Sequence, residues 1–373
     1  MPDPPVLTDA AALIRLAAEL GRENAIGVDL EADSMHSYQE KICLLQFSTT
    51  SRTVLVDPLT IGDLAPLRPV MADPKVCKIF HAADYDIRCL FRDYRIEVRG
   101  LFDTMVSGQF LGEKKVGLAD MLDKYFNVKL DKKYQRADWS ARPLSKAMVR
   151  YAAEDTRYLH QLMELLETKL AETGRRSWVA EEFQLLEQVR HNDNNGPLFL
   201  RIKGAWKLDR PQLAVLEALL HWRDREAERR DCPLFKVIGN KTLLELARAT
   251  PCTREGLQAV QGMPPPLADR YGNKLARVIE KALATPQEKL PLYPSLKRPA
   301  EDRAADARLR LLKRWRTRKA AQLSMEPGIV INTALLEAIA RKPPAALSSL
   351  SNFSAMKNWQ RQELGPEIVA ALQ

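Results

Sequence analysis

Apolar and polar positions alternate over three short segments near the N-terminus. The runs AIGVDLE (25–31), ICLLQFSTT (42–50) and TVLVDPL (53–59) follow one another closely, and such alternation is typical of strands. They predict an antiparallel meander. Residues 75–82 predict a further strand, and apolar residues at helical spacing predict helices at 63–73, 85–94, 101–112, 117–126 and 145–172. Hairpin strands followed by strands interleaved with helices indicate an α/β domain with a mixed sheet.

Beyond residue 200 the apolar pattern is almost purely helical, and it repeats. Residues 221–251 match residues 314–343, with Trp222 and Trp315 lying 93 positions apart, as do Arg223 and Arg316. The same order of features continues with the pairs Pro233 and Pro327, Asn240 and Asn332, and Gly272 and Gly365. The pattern predicts two copies of one small all-α domain.

Breaks in the periodicity place the domain boundaries. The polar run HNDNNGP (191–197) interrupts the helical pattern, and a proline-punctuated segment (284–302) separates the two copies. We therefore expect an α/β domain at 1–195, a first helical repeat at 205–287 and a second at 299–373.

Charge is divided unevenly along the chain. The net charge of the 373 residues is +9, but residues 1–170 hold 23 Lys and Arg against 25 Asp and Glu, and residues 171–373 hold 34 against 23. A near-neutral first part joined to a basic helical part indicates that the second part holds a polyanion. A solvated basic surface without a ligand is the alternative.

Composition and targeting signals indicate a cytoplasmic protein. Apolar residues make up 46% of the chain and charged residues 28%, as in ordinary globular proteins. No apolar run is long enough to span a membrane, and the N-terminal segment lacks the basic region of a signal peptide. The five cysteines show no zinc-binding spacing, so we expect free thiols in a reducing compartment. We also expect a monomer without membrane partners.

Two carboxylates lie on one face of the first predicted strand. Because side chains on a strand alternate, Ile26, Val28 and Leu30 face one side, and Asp29 and Glu31 face the other, about 6.5 Å apart. Two carboxylates at that spacing are able to reach one pair of divalent cations. The alternative is a pair of acids facing solvent. The same Asp-x-Glu spacing at Asp224 and Glu226 falls in a helix, where we expect a solvated face.

A tyrosine and an aspartate share one face of the last helix predicted in the α/β domain. Tyr151 and Asp155 are four residues apart, which is one helical turn. A tyrosine beside a metal-bound carboxylate can orient an attacking water. The same spacing recurs at Tyr134 and Asp138, but that segment has weak helical periodicity and predicts a loop. Context decides between the two pairs.

A third acid is left open by the chemistry alone. Asp84, Asp86 and Asp103 all follow predicted strand ends. Asp103 opens a predicted helix and fits an N-cap.

The order of these residues resembles the DEDD superfamily of 3′→5′ exonucleases, in its tyrosine-bearing branch that contains ribonuclease D. The three family motifs correspond to Asp29 with Glu31, to Asp86, and to Tyr151 with Asp155. The resemblance thus selects Asp86, and it leaves Asp84 as a surface or capping acid. The repeats resemble HRDC domains, which are helical nucleic-acid-binding modules, so the resemblance spans nearly the whole chain. Leu30 departs from the threonine that this family often has there.

The resemblance implies an RNase H-like catalytic domain that binds two Mg²⁺ or Mn²⁺ ions. Asp29 would bridge both ions, Glu31 and Asp155 would complete the site of the attacking water, Asp86 would act on the second ion, and Tyr151 would orient the water. The products would be nucleoside 5′-monophosphates. The expected partners are RNA 3′ ends, such as those of tRNA precursors or other structured RNAs.

Side chains near the motifs are candidates for contacts with the terminal nucleotide. A base needs an apolar or aromatic surface for stacking and polar groups for hydrogen bonding. Trp139 is equally a candidate packing residue, and His81 is expected to be a structural hydrogen-bonding group. The candidate substrate contacts are Leu30, Met35, His36, Gln135 and Trp139.

The second repeat begins in a basic segment. Residues 297–319 contain ten bases and three acids, which predicts phosphate contacts that are not sequence-specific. Trp222 and Trp315 share one helical phase beside apolar neighbours, and we expect both in the core.

Two other functions remain open from the sequence. A DNA exonuclease would use the same chemistry, because discrimination rests on contacts to the 2′-hydroxyl. A non-catalytic nucleic-acid-binding scaffold would be expected to lack a metal-binding carboxylate, yet all five motif residues are present.

Overall fold

The computed structural model describes residues 3–191, 196–294 and 302–372. These residues form two compact units. One consists of 3–32, 42–191 and 302–372, and the other of 33–41 and 196–294. The expected breaks at 191–197 and 284–302 lie partly outside the described residues.

A six-stranded mixed sheet forms the centre of the first unit. Its strands are β1 (Val6–Leu7), β2 (Ala25–Ala32), β3 (Ile42–Ser48), β4 (Thr53–Val56), β5 (Cys77–Phe80) and β6 (Leu101–Asp103). Their order is β1-β4-β3-β2-β5-β6. Strands β2, β3 and β4 pair antiparallel, whereas β5, β6 and β1 pair parallel with their neighbours. The predicted meander and mixed sheet are confirmed.

The sheet is accompanied by nine helices in this part of the described chain. They are α1 (Ala10–Leu20), α2 (Pro58–Ile61), α3 (Arg68–Ala72), α4 (Asp84–Tyr94), α5 (Thr104–Phe110), α6 (Leu118–Phe126), α7 (Lys146–Arg157), α8 (Leu159–Glu172) and α9 (Arg176–Glu187). Two predictions need correction. The helix expected at 101–112 begins with strand β6, because residues 101–103 extend the sheet beside β5. The single helix expected at 145–172 is interrupted at Tyr158.

The predicted repeat is present in three dimensions. The first copy contains α10 (Arg210–Arg229), α11 (Leu234–Val237), α12 (Asn240–Ala249), α13 (Arg254–Gln258) and α14 (Pro265–Leu283), and the second contains α15 (Arg303–Leu323), α16 (Pro327–Val330), α17 (Thr333–Arg341) and α18 (Asn358–Ala370). In both copies the arginine after the core tryptophan binds main chain: Arg223 donates to the carbonyl of Ile238 at 3.1 Å, and Arg316 to that of Ile331 at 3.0 Å.

An offset of 93 relates the equivalent positions, which corrects two predicted pairings: Pro233 corresponds to Glu326, since each is the N-cap of its short helix, and not to Pro327. The arginines also donate to Asn240 and Thr333, so the position equivalent to Asn240 is Thr333 and not Asn332. Trp222 and Trp315 are both buried, as predicted. Gly272 and Gly365 are equivalent because each helix is closely approached there: an added Cβ would lie 3.0 Å from Arg254 or 2.8 Å from Leu347.

The second repeat packs against the α/β domain within one hydrophobic core. The Trp359 ring stacks on Trp178 of α9 with centroids 4.9 Å apart, and its edge faces Phe110 at 5.5 Å. Glu181 accepts hydrogen bonds from the first main-chain N–H groups of α18, at Asn358 and Trp359. This copy is therefore a built-in part of the unit that contains the sheet.

The first repeat belongs to the other unit, together with the nine residues between β2 and β3. The main-chain N–H of Tyr38 donates to Asp231 at 3.1 Å, and its hydroxyl is hydrogen-bonded to Asp224. Glu226 is buried and accepts from Arg229 and Tyr271. The expectation of a solvated face at Asp224 and Glu226 is therefore wrong, because both carboxylates make tertiary contacts.

No helix among the described residues combines the length and the apolar content that a membrane span requires. None of the five cysteines, all of which lie among the described residues, forms a disulfide.

Candidate active site

Strand β2 presents its carboxylates at the centre of the sheet. Ile26, Val28 and Leu30 are buried, while Asp29 and Glu31 lie on the opposite face, as the alternation predicts. Asp29 pairs with Gln46 of β3 and Glu31 with Leu44. Because β2 has neighbours on both sides, its side chains are held on a rigid support.

Helix α7 brings Tyr151 and Asp155 to the same face of the sheet. The buried side of α7 faces the strands, and it consists of Val149, Ala152, Ala153 and Thr156. The hydroxyl of Thr156 lies 2.6 Å from that of Ser48 in β3. A Cβ on Gly27 would lie 3.1 Å from the Thr156 carbonyl oxygen. The close approach of α7 to β2 thus favours a glycine two residues before Asp29.

Three carboxylates from these two elements converge. One ligand oxygen from each of Asp29, Glu31 and Asp155 lies within 4.8 Å of the other two. Burial first, and then neighbouring negative charge, raises the pKa of Asp29 well above its usual range. The same causes raise the pKa of Glu31 to about 10 and that of Asp155 to about 8. Collecting these anions costs free energy, which a bound cation offsets.

Asp86 lies beside this group, in the first turn of α4. Burial raises its pKa to about 8, and its charge acts on both Asp29 and Glu31. The main-chain N–H of Leu30 hydrogen-bonds to both Asp29 and Asp86. Asp84, by contrast, is exposed and pairs with Arg88 at 2.8 Å. The structure therefore places Asp86, and not Asp84, at the carboxylate group.

Asp103 has a wider role than the N-cap that the sequence predicted. It accepts from Met105 and Val106 at the start of α5, and it also accepts from the N–H groups of Ala82 and Ala83 at 3.1 and 2.7 Å. Ala82 has a φ of 66°. Asp103 thus holds the turn from which α4, and with it Asp86, begins. Sequence reasoning missed this positioning role because its partners are main-chain groups twenty residues away.

A cavity opens over the carboxylates. Its lining includes Asp29, Asp155, Tyr151, Gln135 and His81. Burial, together with the charges of Asp155, Glu31 and Asp29, raises the pKa of the Tyr151 hydroxyl, which therefore stays protonated at neutral pH. His81 is a structural hydrogen-bonding group, as expected: its Nδ1 lies 2.9 Å from the Thr104 hydroxyl, and burial lowers its pKa to about 4.

The remaining candidate substrate contacts separate into different environments. Gln135 is exposed at the cavity. Trp139 is only 1% exposed and packs beside Tyr151 at 6.0 Å, so packing is the alternative that the structure favours. The Leu30 side chain is buried in the core, and only its main chain reaches the site. Met35 and His36 lie in the 33–41 segment of the other unit and stay predictions.

The donor set fits hard divalent cations. All of the converging groups are carboxylates, and oxygen is the donor that Mg²⁺ and Mn²⁺ prefer. His81 lies in the same cavity, but it does not belong to the converging group.

Comparison with known proteins agrees with this architecture. Residues 5–171 match the family model of a 3′→5′ exonuclease, and residues 212–279 and 305–372 each match the HRDC domain. A ribonuclease D from Gluconacetobacter diazotrophicus is 30% identical over 99% of this chain and 93% of its own length.

Two solved structures extend the comparison. The crystal structure of Escherichia coli RNase D aligns with a TM-score of 0.76 and 25% identity, covering 100% of this chain and 99% of that one. The catalytic core of RRP6 from Trypanosoma brucei aligns with a TM-score of 0.64 and 30% identity, covering 75% and 79%.

The fold and the site define a 3′→5′ exonuclease that carries two HRDC domains. The family depends on divalent metal ions, and the oxygens of Asp29, Glu31 and Asp155 lie close enough together that they could hold such an ion. The chain belongs to the ribonuclease D family, and it is a 3′→5′ exoribonuclease.

Proposed function

We propose that this exoribonuclease hydrolyses the terminal phosphodiester of RNA with two Mg²⁺ or Mn²⁺ ions held by Asp29, Glu31, Asp86 and Asp155. The observation that carries this proposal is the convergence of Asp29, Glu31 and Asp155 within 4.8 Å, with Asp86 beside them. When bound, such ions lower the pKa of water and stabilise the leaving oxygen. The products are nucleoside 5′-monophosphates.

The chain's own residues position the reactants. The Tyr151 hydroxyl stays protonated beside Asp155 and is available to hold the attacking water. Asp29 and Glu31 project from a central strand, and Asp155 from a helix packed on it, so their separation is set by the fold. We propose that Gln135 contacts the terminal nucleotide, because its side chain is exposed at the cavity that contains Asp29 and Tyr151.

We further propose that the substrates are structured RNAs such as tRNA precursors. The E. coli enzyme is described as an exoribonuclease involved in structured RNA processing, and it aligns with this chain over its whole length. We also propose a cytoplasmic monomer; five cysteines that form no disulfide among the described residues support a reducing compartment. The matches to the family models support the domain boundaries 1–195, 205–287 and 299–373.

The test is mononucleotide release from RNA labelled at its 5′ or 3′ end. With Mg²⁺ or Mn²⁺ we expect progressive shortening from the 3′ end and release of nucleoside 5′-monophosphates, and EDTA should stop both. Asp29→Asn and Asp155→Asn should each abolish release, whereas Asp84→Asn should not, because Asp84 is paired at the surface. Full activity in Asp29→Asn and Asp155→Asn would overturn the assignment.

Two substrates separate the remaining alternatives. A DNA oligonucleotide of the same sequence should be shortened much more slowly than the RNA. Equal rates would favour a general 3′→5′ exonuclease, and binding without cleavage in either metal would favour a scaffold.

A further inference from the structure

One face of α15 carries arginines that the fold does not use. Arg310, Arg314 and Arg318 follow one another at four-residue intervals, so they lie in a row with about 6 Å between neighbours. We call this row the α15 arginine stripe. All three side chains are exposed, and none has a hydrogen bond or an ion pair within the described part of the chain.

Three other bases of this helix have structural partners, whereas Arg303 and Lys313 are exposed like the stripe. Arg308 donates to the carbonyl of Ala340 at 2.6 Å, Arg316 to that of Ile331, and Lys319 pairs with Glu367. The helix therefore divides its bases into an inward group that holds the repeat together and an outward group without a structural task. Exposed arginines that stabilise nothing are candidates for an external anion.

The first repeat is an internal comparison. At the offset of 93, the stripe corresponds to Glu217, His221 and Arg225 of α10. Glu217 accepts from the N–H groups of Leu198 and Phe199 at 2.9 and 2.8 Å and lies 3.2 Å from His221. The chain itself thus contacts the Glu217 end of this face in the first copy, and the face carries one acid where the stripe has an arginine. The corresponding face of the second copy is positive and uncovered by any described segment.

The stripe is fixed to the unit that contains the carboxylates. Arg175 donates to the carbonyl of Phe110 at the end of α5 and to that of Leu323 at the end of α15. Ala320 and Ala321 share a cavity with the segment 112–116, and the next residues, Gly117 and Leu118, line the catalytic cavity. A polyanion on α15 would therefore be held by the same rigid body as the scissile end.

We propose that the α15 arginine stripe binds the sugar–phosphate backbone of the RNA substrate upstream of its 3′ end, and that the second HRDC copy is the one that holds RNA. The proposal deepens the proposed function and rests on RNA being the substrate. Its partner is argued from charge complementarity: three guanidinium groups in a row suit successive phosphates and carry no base specificity.

The test is the triple variant R310Q/R314Q/R318Q beside a charge-matched control, R225Q/K236Q/K241Q, on exposed bases of the first repeat. With a hairpin RNA bearing a 3′ tail, we expect the stripe variant to raise KM about tenfold and to leave kcat unchanged, because phosphate contacts add binding without chemistry. Its kcat/KM on a trinucleotide, which is too short to reach the stripe, should stay at the wild-type value. The control should match wild type on both substrates.

Binding measurements make the test independent of catalysis. In EDTA, the slope of log affinity for the hairpin RNA against log salt should fall by roughly 2 to 3 in the stripe variant. Restoring the charge with R310K/R314K/R318K should recover most of the affinity.

Three results would overturn the proposal. They are wild-type affinity in the stripe variant, an equal loss in the control, or binding of anionic lipid vesicles through the stripe with no effect on RNA. If the wild-type protein bound RNA through the stripe but released no nucleotide with Mg²⁺ or Mn²⁺, the proposed function would fail and the stripe would stand.

Discussion

The carboxyl groups at the site lie where burial and neighbouring carboxylates disfavour their ionised form. Asp29, Glu31 and Asp155 are anions brought within 4.8 Å in a partly buried setting, and burial raises the pKa of each. Such an arrangement reduces stability for the sake of function, and it predicts that neutral variants separate the two properties.

The first prediction concerns Asp29→Asn. Without metal, the free energy of unfolding of the variant should exceed that of wild type by about 1 kcal/mol, because folding of wild type must either protonate Asp29 or bury its charge, whereas asparagine is neutral. Wild type should gain thermal stability on addition of Mg²⁺, and the variant should gain less. Calorimetry with EDTA or Mg²⁺ measures both effects. A variant that is less stable than wild type in EDTA would argue against repulsion within the carboxylate group.

The second prediction concerns the tyrosine hydroxyl. Tyr151→Phe should lower kcat roughly 10²-fold with little change in KM, because the change removes only the group that orients water. Tyr134→Phe is a matched control, since the ring centroids of Tyr134 and Tyr151 are 5.7 Å apart but Tyr134 lies in a turn outside α7. Single-turnover kinetics on RNA distinguish the two variants. An equal loss in Tyr134→Phe would show that the effect is not specific to the Tyr151 hydroxyl.

At the scale of elements, the site depends on how closely α7 approaches β2. The backbone of Gly27 is not in the left-handed region; glycine is favoured there because an added Cβ would lie only 3.1 Å from the Thr156 carbonyl oxygen. The strand pattern alone predicted which way Asp29 and Glu31 point. It did not predict that a glycine beside them sets the distance to Asp155.

The third prediction follows from this contact. Gly27→Ala should destabilise the protein by about 1–3 kcal/mol and lower kcat, because the methyl group pushes α7 and Asp155 away from β2. Gly328→Ala is the control, since an added Cβ there meets nothing within 4 Å in the described structure. Chemical unfolding and nucleotide release measure the two effects. Wild-type stability in Gly27→Ala would show that the helix adjusts without cost.

At the scale of the molecule, the two HRDC copies have different structural roles. The second copy shares a hydrophobic core with the α/β domain, through the stacked rings of Trp178 and Trp359 and the Glu181 cap on α18. The first copy has a separate hydrophobic core, and it forms one compact unit with residues 33–41, which follow β2. Two copies of one repeat thus differ in packing: the second shares the core of the α/β domain, and the first has its own core.

The fourth prediction tests this integration. Trp359→Ala should destabilise the unit that contains the sheet by about 3–5 kcal/mol, because a buried ring is replaced by a cavity. The catalytic activity should be lost in the same thermal transition as the helical structure of the second repeat. Trp206→Ala is the control, because its side chain is 60% exposed and its loss should cost less than ~0.5 kcal/mol. A Trp359→Ala protein of wild-type stability would contradict an integral second repeat.

Local periodicity determined most of what the sequence predicted correctly. Side-chain geometry along one element predicted which side of β2 carries Asp29 and Glu31, and it predicted the one-turn spacing of Tyr151 and Asp155. The 93-residue repeat followed from the matching order of residues in the two copies. The choice of Asp86 came only from family resemblance, since three acids followed strand ends. The structure gives its physical reason: Asp86 shares the Leu30 N–H with Asp29, whereas Asp84 turns outward to Arg88.

Only the tertiary structure decided which contacts join distant segments. Asp224 and Glu226, which share the Asp-x-Glu spacing, are hydrogen-bonded to Tyr38 and Tyr271. Asp103 accepts from the main chain of Ala83, twenty residues before it. The equivalent faces of α10 and α15 differ because Glu217 in the first accepts from Leu198 and Phe199, whereas no described segment binds the arginines of the second. Periodicity reports which way a side chain points, but its partner depends on packing between segments far apart in the chain. The sequence alone therefore determined the carboxylates and their directions, and the fold decided their separation and the face left open for RNA.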